Sequence, residues 1–389
     1  MWGLLQAKAL SRGGDDVRVF APVVAVPRPV SRLPGGHRLL AAARRWATCP
    51  PTHRWDGLEV SYPRWPLPHV GPHYGWFYRH PRQEAQLGWL SIRSRLLREV
   101  EEFAPDVIYA HGTGLCGYLA MKVKERTGIS FVTVDHDFGE IADCAHHPAR
   151  LEHYRRVAAE ASASLADCRR IARDTGRLLL TPRAVALNTA ADPPPDDLAP
   201  PDAPGNGRVV VLSAGSFIRR KGFPELVEAF ARGTATAPDT VMRVAGDGPL
   251  LPDVVRTIDR AGLSKRVELL GFIPHRQFLG EMNRCDVFAL IGWDEPCATV
   301  YMEAMAAGKP VICCSDGGIT DVLENGRHGL TVPPRDVDAA ATAIAQLIES
   351  AEERRRLGQE ARRLHRSKLT WDANATALHR VLAGAAQQR

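Results

Sequence analysis

The sequence predicts an α/β protein made of two Rossmann-like domains, each a parallel sheet covered by helices. Three observations carry this. The C-terminal half alternates short apolar runs with helical stretches, the pattern of strands buried on both faces. A chain of 389 residues can bury two separate cores. The segment from Asp192-Pro193-Pro194-Pro195-Asp196-Asp197 through Pro204-Gly205-Asn206-Gly207 is rich in turn formers and poor in apolar residues, as an interdomain linker is. We therefore expect a first domain over 1–191, a linker over 192–207, a second domain over 208–366 and a C-terminal helix over 367–389 that packs back on the first domain.

In chain order, Met1 to Gly13 reads as a helix stopped by Gly13-Gly14, and Val17-Arg18-Val19-Phe20 as a strand. The stretch from Arg45 to Trp89 is less regular. Val107-Ile108-Tyr109-Ala110 and Phe131-Val132-Thr133-Val134 are strands separated by a helix from Gly117 to Arg126. After the linker, Val209 to Leu212 is a strand, and Pro224 starts a helix that runs to Phe230, with proline in its first turn. Val241 to Ala245, Val267 to Leu270, Val287 to Ile291 and Val311 to Cys314 continue the strands, with helices over Leu250 to Ala261 and Pro274 to Asn283. A further short helix precedes Gly308 and Pro310, and one long charged helix is expected from Val337 to His365.

Composition excludes several classes. No apolar run reaches the roughly 18 residues a membrane-spanning helix needs, and the first residues lack the basic and apolar regions of a signal peptide. A cytoplasmic protein is the expectation. The eight cysteines form no Cys-x-x-Cys pattern, and Cys285, Cys313 and Cys314 fall in or beside apolar runs where a thiol packs as a small hydrophobe. The net charge is +6. It suits an anionic substrate or peripheral contact with an anionic membrane, whereas the scattered arginines outline no nucleic-acid surface.

Four places can carry chemistry. Glu295 lies in the loop after an apolar strand and Glu303 in the next helix, so two carboxylates frame a junction of the kind where open α/β sheets bind ligands. Gly215-Ser216-Phe217-Ile218-Arg219-Arg220-Lys221-Gly222 joins a strand to a helix, where N–H groups and cations converge on an anion, in outline a diphosphate. Gly246-Asp247-Gly248-Pro249 and Phe272-Ile273-Pro274 also end strands, and the glycines permit close approach of backbone to a ligand. His111 follows a strand of the first half, either as a packing residue or as a site residue.

Two further features each admit two readings. Asp135-His136-Asp137, with Glu140, Asp143, Cys144, His146 and His147 nearby, invites a metal-diphosphate reading but matches no standard zinc spacing. Trp46, Trp55, Trp65, Trp76 and Trp89, with Tyr74, Phe77, Tyr78, His69, His73 and His80 among them, either stack on sugar faces or bury area.

The string from Glu295 to Val311, with its Glu-x7-Glu spacing and Glu-Ala-Met-Ala-Ala-Gly-Lys-Pro-Val, resembles the signature of the family-four (group 1) glycosyltransferases. The resemblance implies the GT-B fold, two Rossmann-like domains facing a cleft. It implies transfer of a sugar from a nucleotide diphosphate sugar to an acceptor such as a glycan, lipid-linked sugar or small metabolite, with retention and without a metal or other cofactor. The alternatives are an inactive nucleotide-sugar-binding protein and a sugar-nucleotide epimerase of the same fold.

By resemblance to Gly-Arg-Leu-x-x-x-Lys-Gly, Lys221 holds the diphosphate, Ser216 stands where an arginine is usual, and Arg219 or Arg220 supplies the charge. Gly215 and Gly246, and Phe272 and Ile273 near the base, complete the donor side. Glu303 would accept from the ribose and Glu295 from the transferred sugar, which His111 also approaches. Cys297 and Ala298 replace the usual Phe-Gly, leaving Ala298, Thr299 and Val300 beside the phosphates, and Gly317-Gly318-Ile319-Thr320-Asp321-Val322 matches Gly-Gly-Ile-x-Glu-Val with a shorter acid. The family's opening strand and glycine-rich loop have no counterpart after Met1, and in-frame upstream sequence is expected to encode them.

Overall fold

The computed structural model describes residues 2–25, 45–66, 74–136, 138–185, 190–198 and 208–388. Linker residues 199–207, His69, His73 and Asp137 lie outside the described residues, as do the side chains of Tyr74 and Glu140. The chain divides into two compact units, Met1–Leu187 with Ala375–Arg389, and Asn188–Asn374.

The second unit is an α/β layer structure. Its strands are β10 (Val210–Ala214), β11 (Val241–Ala245), β12 (Val267–Gly271), β13 (Val287–Leu290), β14 (Val311–Cys314) and β15 (Gly329–Val332). Among the described residues they form one parallel sheet in the order β12-β11-β10-β13-β14-β15. The order reverses direction at β10 and β13, the switch point where such a sheet opens a ligand crevice at its carboxyl edge. Every residue of β10, β13 and β14 is buried, because helices cover both faces. Cys285, Cys313 and Cys314 are buried with them, and burial pushes the Cys285 thiol up to about 12.

The long helix expected from Val337 to His365 is two helices, Val337–Glu349 and Ala351–Lys368. Ser350 separates them. Its backbone is extended (φ −117°, ψ 100°) and its hydroxyl accepts from the Glu353 N–H at 3.1 Å, so the side chain caps the second helix and ends the first.

In the first unit, β6 (Val107–His111), β7 (Ser130–Asp135), β8 (Ala163–Ala166) and β9 (Ala184–Val185) pair in parallel in that order. β1 (Arg18–Phe20) pairs in parallel with β4 (Leu58–Ser61), and β4 in antiparallel fashion with β3 (Thr52–Trp55). β2 (Val23–Val24) joins β5 (Arg64–Trp65). Asp56 and Gly57 turn the β3–β4 hairpin with φ of 46° and 91°, the left-handed pair that an Asp-Gly turn supplies.

The middle segment is therefore more regular than expected. It runs through this hairpin and the helix Tyr74–Arg79 into a helix of 23 residues, Pro81–Phe103. Ala85, Gly88, Trp89, Ile92, Leu96 and Val100 recur at three- and four-residue spacing and form the buried face. Trp65 and Trp89 are buried in that core, which settles their role as packing, whereas Trp55 and Trp76 remain exposed.

Candidate functional site

Three strand ends of the second unit build a backbone platform. The Gly215 N–H donates to Ala245 O at 3.0 Å and the Gly246 N–H to Gly271 O at 2.8 Å, tying together the ends of β10, β11 and β12. Only glycine fits at 246. Its φ is +141°, and a Cβ there would stand 1.9 Å from Gly215 O. Phe217 fills the space below at 1% exposure and receives the Leu250 N–H at its carbonyl, locking the following turn.

From Gly215 the chain passes Ser216 into a single 3₁₀ turn, Arg219–Lys221, closed by Gly222 at φ +66°. A Cβ at 222 would meet Ile291 O at 2.9 Å, so this loop packs directly on the end of β13. The Trp293 N–H donates to Arg220 O at 2.9 Å across the same contact. Lys221 Nζ lies 2.5 Å from Glu295 Oε2, and Arg220 donates to Glu295 Oε1 at 3.0 Å. Glu295 is buried at 4% exposure, and two cations compensate a carboxylate that burial alone would penalise. Its carbonyl accepts from the Gly318 N–H at 2.9 Å, which brings Gly317 and the 3₁₀ turn Gly318–Asp321 to the same place.

Arg219 turns away. It pairs with Glu225 at 2.6 Å and lies over the Trp293 ring at 5.3 Å, with Arg335 over that ring at 4.8 Å. The sequence singled out neither Trp293 nor Arg335; their signal is spatial, since Arg335 comes from the loop after β15.

Helix Thr299–Ala306 starts at Ala298, which has extended backbone and no side chain able to cap. The first-turn N–H groups, with Thr299 and Val300 at their head, thus lack the usual oxygen acceptor, and such an end attracts an anion. One turn on, Glu303 is buried at 7% exposure and bonds His275 Nε2 at 2.6 Å. That bond raises the His275 pKa above its ordinary 6.5. His275 escaped the sequence reading although it directly follows Phe272-Ile273-Pro274, because nothing local marks it as a partner of Glu303. Phe272 itself is 86% exposed at the end of β12, an unusual position for a large aromatic ring, and Ile273 beside it is half-buried.

In the first unit, His111 ends β6 and its Nδ1 lies 3.2 Å from His136 Nε2. His136 Nδ1 lies 2.8 Å from Asp167. Asp135 has both carboxylate oxygens engaged: it accepts from the Thr113 N–H at 2.9 Å, from the Thr113 hydroxyl at 2.8 Å and from Arg183 at 2.5 Å. Thr113, Asp167 and Arg183 were not among the sequence candidates. The Asp135 carboxylate thus serves an internal ion pair, and the described residues hold no cluster of His, Cys, Asp and Glu arranged for a metal.

Residues 199–364 match the family model described as glycosyl transferases group 1. The chain is 32% identical over 276 residues to the 2-deoxystreptamine N-acetyl-D-glucosaminyltransferase of Streptomyces fradiae, covering 65% of each. It is 28% identical over 182 residues to a glycogen synthase of Mycobacterium tuberculosis, covering 47% of this chain and 44% of that one. The chain thus spans about half the length of most curated relatives it matches. Among solved structures, sucrose-phosphate synthase from Thermosynechococcus elongatus superposes with a TM-score of 0.68 at 18% identity, covering 96% of this chain and all of that one. Anabaena HepE in complex with UDP superposes at 0.65 and 19% identity, covering 84% and 86%. These likenesses show the GT-B fold. No helix among the described residues is long and apolar enough to cross a membrane.

Proposed function

We propose, from the match of residues 199–364 to the group 1 glycosyl transferases, that this chain moves a sugar from a nucleotide diphosphate sugar to an acceptor hydroxyl. The observation that carries the reading is the convergence of Arg220, Lys221, the buried Glu295 and the uncapped start of helix Thr299–Ala306 on one strand-end junction. Cations and N–H groups there suit a diphosphate, and the carboxylate suits sugar hydroxyls.

The roles divide accordingly. Gly215, Ser216, Arg220 and Lys221, with the N–H groups at Ala298, Thr299 and Val300, hold the diphosphate, and Arg219 reaches it by leaving Glu225. Gly246 lets the platform come close to the nucleoside, and Phe272 and Ile273 offer apolar surface to the base. Glu303 accepts from the ribose, Glu295 from the transferred sugar, and His111 belongs to the acceptor side of the same reaction. Departure of the diphosphate builds negative charge that Lys221, Arg220 and the helix end neutralise without a metal. Retention of configuration and a hexose-type donor complete the reading. The complexes of HepE with UDP and with UDP-glucose support a uridine nucleotide as the first donor to try.

The test is titration of the chain with UDP, GDP and ADP sugars, followed by transfer assays with and without chelator. Saturable binding of one nucleotide sugar and turnover that survives EDTA are the expected results. Turnover abolished by EDTA and restored by manganese would overturn the metal-free mechanism, and no binding of any nucleotide sugar would overturn the reading itself.

A further inference from the structure

One arginine beside the Arg219–Lys221 turn has no carboxylate to hold it. Arg335 sits in the loop after β15, and its guanidinium lies over the Trp293 ring at 4.8 Å, with Arg219 over the same ring at 5.3 Å. That ring backs the turn directly. Trp293 is buried, its N–H donates to Arg220 O at 2.9 Å, and a Cβ at Gly222 would stand 3.2 Å from the ring. Arg219 already pairs with Glu225, whereas among the described residues no carboxylate pairs with the exposed Arg335.

The backbone at Arg335 is strained, and its surroundings maintain the strain. Pro333-Pro334-Arg335-Asp336 is a tight turn closed by the Asp336 N–H on Pro333 O at 3.2 Å, and Arg335 occupies its third place at φ +62°. That place favours glycine. Two anchors fix it. The Cys314 thiol donates to Ile291 O at 3.1 Å, and the Arg335 backbone hydrogen-bonds the same sulfur, so the turn is tied to the ends of β13 and β14. On the other side Asp336 caps the helix Val337–Glu349 by accepting from the Ala339 N–H at 2.8 Å. A long cation is thus kept where glycine would fit with less strain, and it lies on the ring that backs the turn at Lys221.

Charge counting gives this cation a role. Arg220 and Lys221 both pair with Glu295, which offsets one of their two charges. A nucleotide diphosphate sugar brings one negative charge on each phosphate. We infer that Arg335 is a further donor-binding residue whose guanidinium donates to the diphosphate, and that Trp293 is the positioning residue that holds it beside the phosphates. The inference deepens the transferase reading above and rests on it. Arginine suits the place because its planar fork stacks on an indole and matches two phosphate oxygens together, whereas an ammonium is a point charge. Arg219 must leave Glu225 to reach the phosphates; Arg335 breaks no ion pair to do so.

The test is isothermal titration of the native full-length chain, Arg335→Gly and Arg335→Lys with UDP, GDP and ADP. The monophosphate and the nucleoside of whichever diphosphate binds follow, and thermal melts accompany each variant. Arg335→Gly relieves the turn, so its Tm should hold or rise while its affinity for the diphosphate falls about tenfold to a hundredfold. The loss should shrink for the monophosphate and vanish for the nucleoside, and Arg335→Lys should fall between native and glycine. An unchanged diphosphate affinity in Arg335→Gly overturns the inference and leaves the transferase reading standing. An equal loss for the nucleoside also overturns it, because the turn would then merely shape the site. A native chain that binds none of the three diphosphates overturns the transferase reading itself, so the two failures are told apart.

Discussion

On the function proposed above, donor binding turns on Lys221 and Glu303. Each would contribute a charge-assisted bond of about 1.5–3 kcal/mol to a bound nucleotide sugar, so Lys221→Ala and Glu303→Gln should each weaken binding by roughly tenfold to a hundredfold or more. Isothermal titration checks this, and thermal melts confirm that the variants fold. His275 adds a pH dependence with a definite sign. Its pKa is raised in the folded chain by Glu303, so the stability that the pair contributes is fully present below 6.5 and is lost as pH rises through the raised value. A ribose that takes Glu303 from protonated His275 must displace a proton. Donor affinity should therefore increase as pH rises from 6.5 through that higher value, with proton release on binding, and His275→Ala should flatten the profile. Titrations in buffers of different ionisation enthalpy measure the released proton directly.

At the scale of elements, the structure is most sensitive where backbone meets backbone. Gly246→Ala sets a Cβ 1.9 Å from Gly215 O at φ +141°, and the joined ends of β10 and β11 must part. Strain of this kind costs about 1–3 kcal/mol, and chemical denaturation should show that loss together with weakened nucleotide binding. Ser350→Ala removes the cap that divides the two C-terminal helices of the second unit, at about 1 kcal/mol, with no effect on donor affinity. In the first unit, Arg183→Ala leaves Asp135 buried without its cation and should cost about 3–5 kcal/mol by the same measurement.

Across the whole molecule, legibility followed the range of the interactions. The second unit could be read because strands buried on both faces are apolar runs such as Val287 to Ile291, and its loops carry a family motif. In the first unit the 23-residue helix Pro81–Phe103 was lost among closely spaced Trp and His residues, although Ala85, Trp89, Ile92 and Leu96 keep helical spacing. Ser350-Ala351-Glu352-Glu353 is a capping box inside a uniformly charged stretch, and the charge hid it. Site loops were legible as local strings, whereas the partners of their side chains were not: His275 meets Glu303 across 28 residues and His136 meets Asp167 across 31. If the donor rests on the second unit as proposed, nucleotide alone should slow amide exchange in Arg219–Lys221 and Thr299–Ala306 while leaving β6 to β8 at their native rates.

Under the proposed function, the pairing of Glu295 with Arg220 and Lys221 also bears on what the site lets go. Without ligand Glu295 offsets one of the two positive charges, so the junction attracts polyphosphates less strongly than Arg220 and Lys221 alone would. A complete donor arrives with hydroxyls that can satisfy Glu295 at the moment its cations turn to the phosphates. On that reading a spent nucleotide brings the phosphates but no sugar hydroxyls for the buried carboxylate, so Glu295 competes for the cations again. If the donor binds as proposed, this internal ion pair works as a built-in eluant, and nucleotide alone should bind more weakly than the loaded nucleotide sugar.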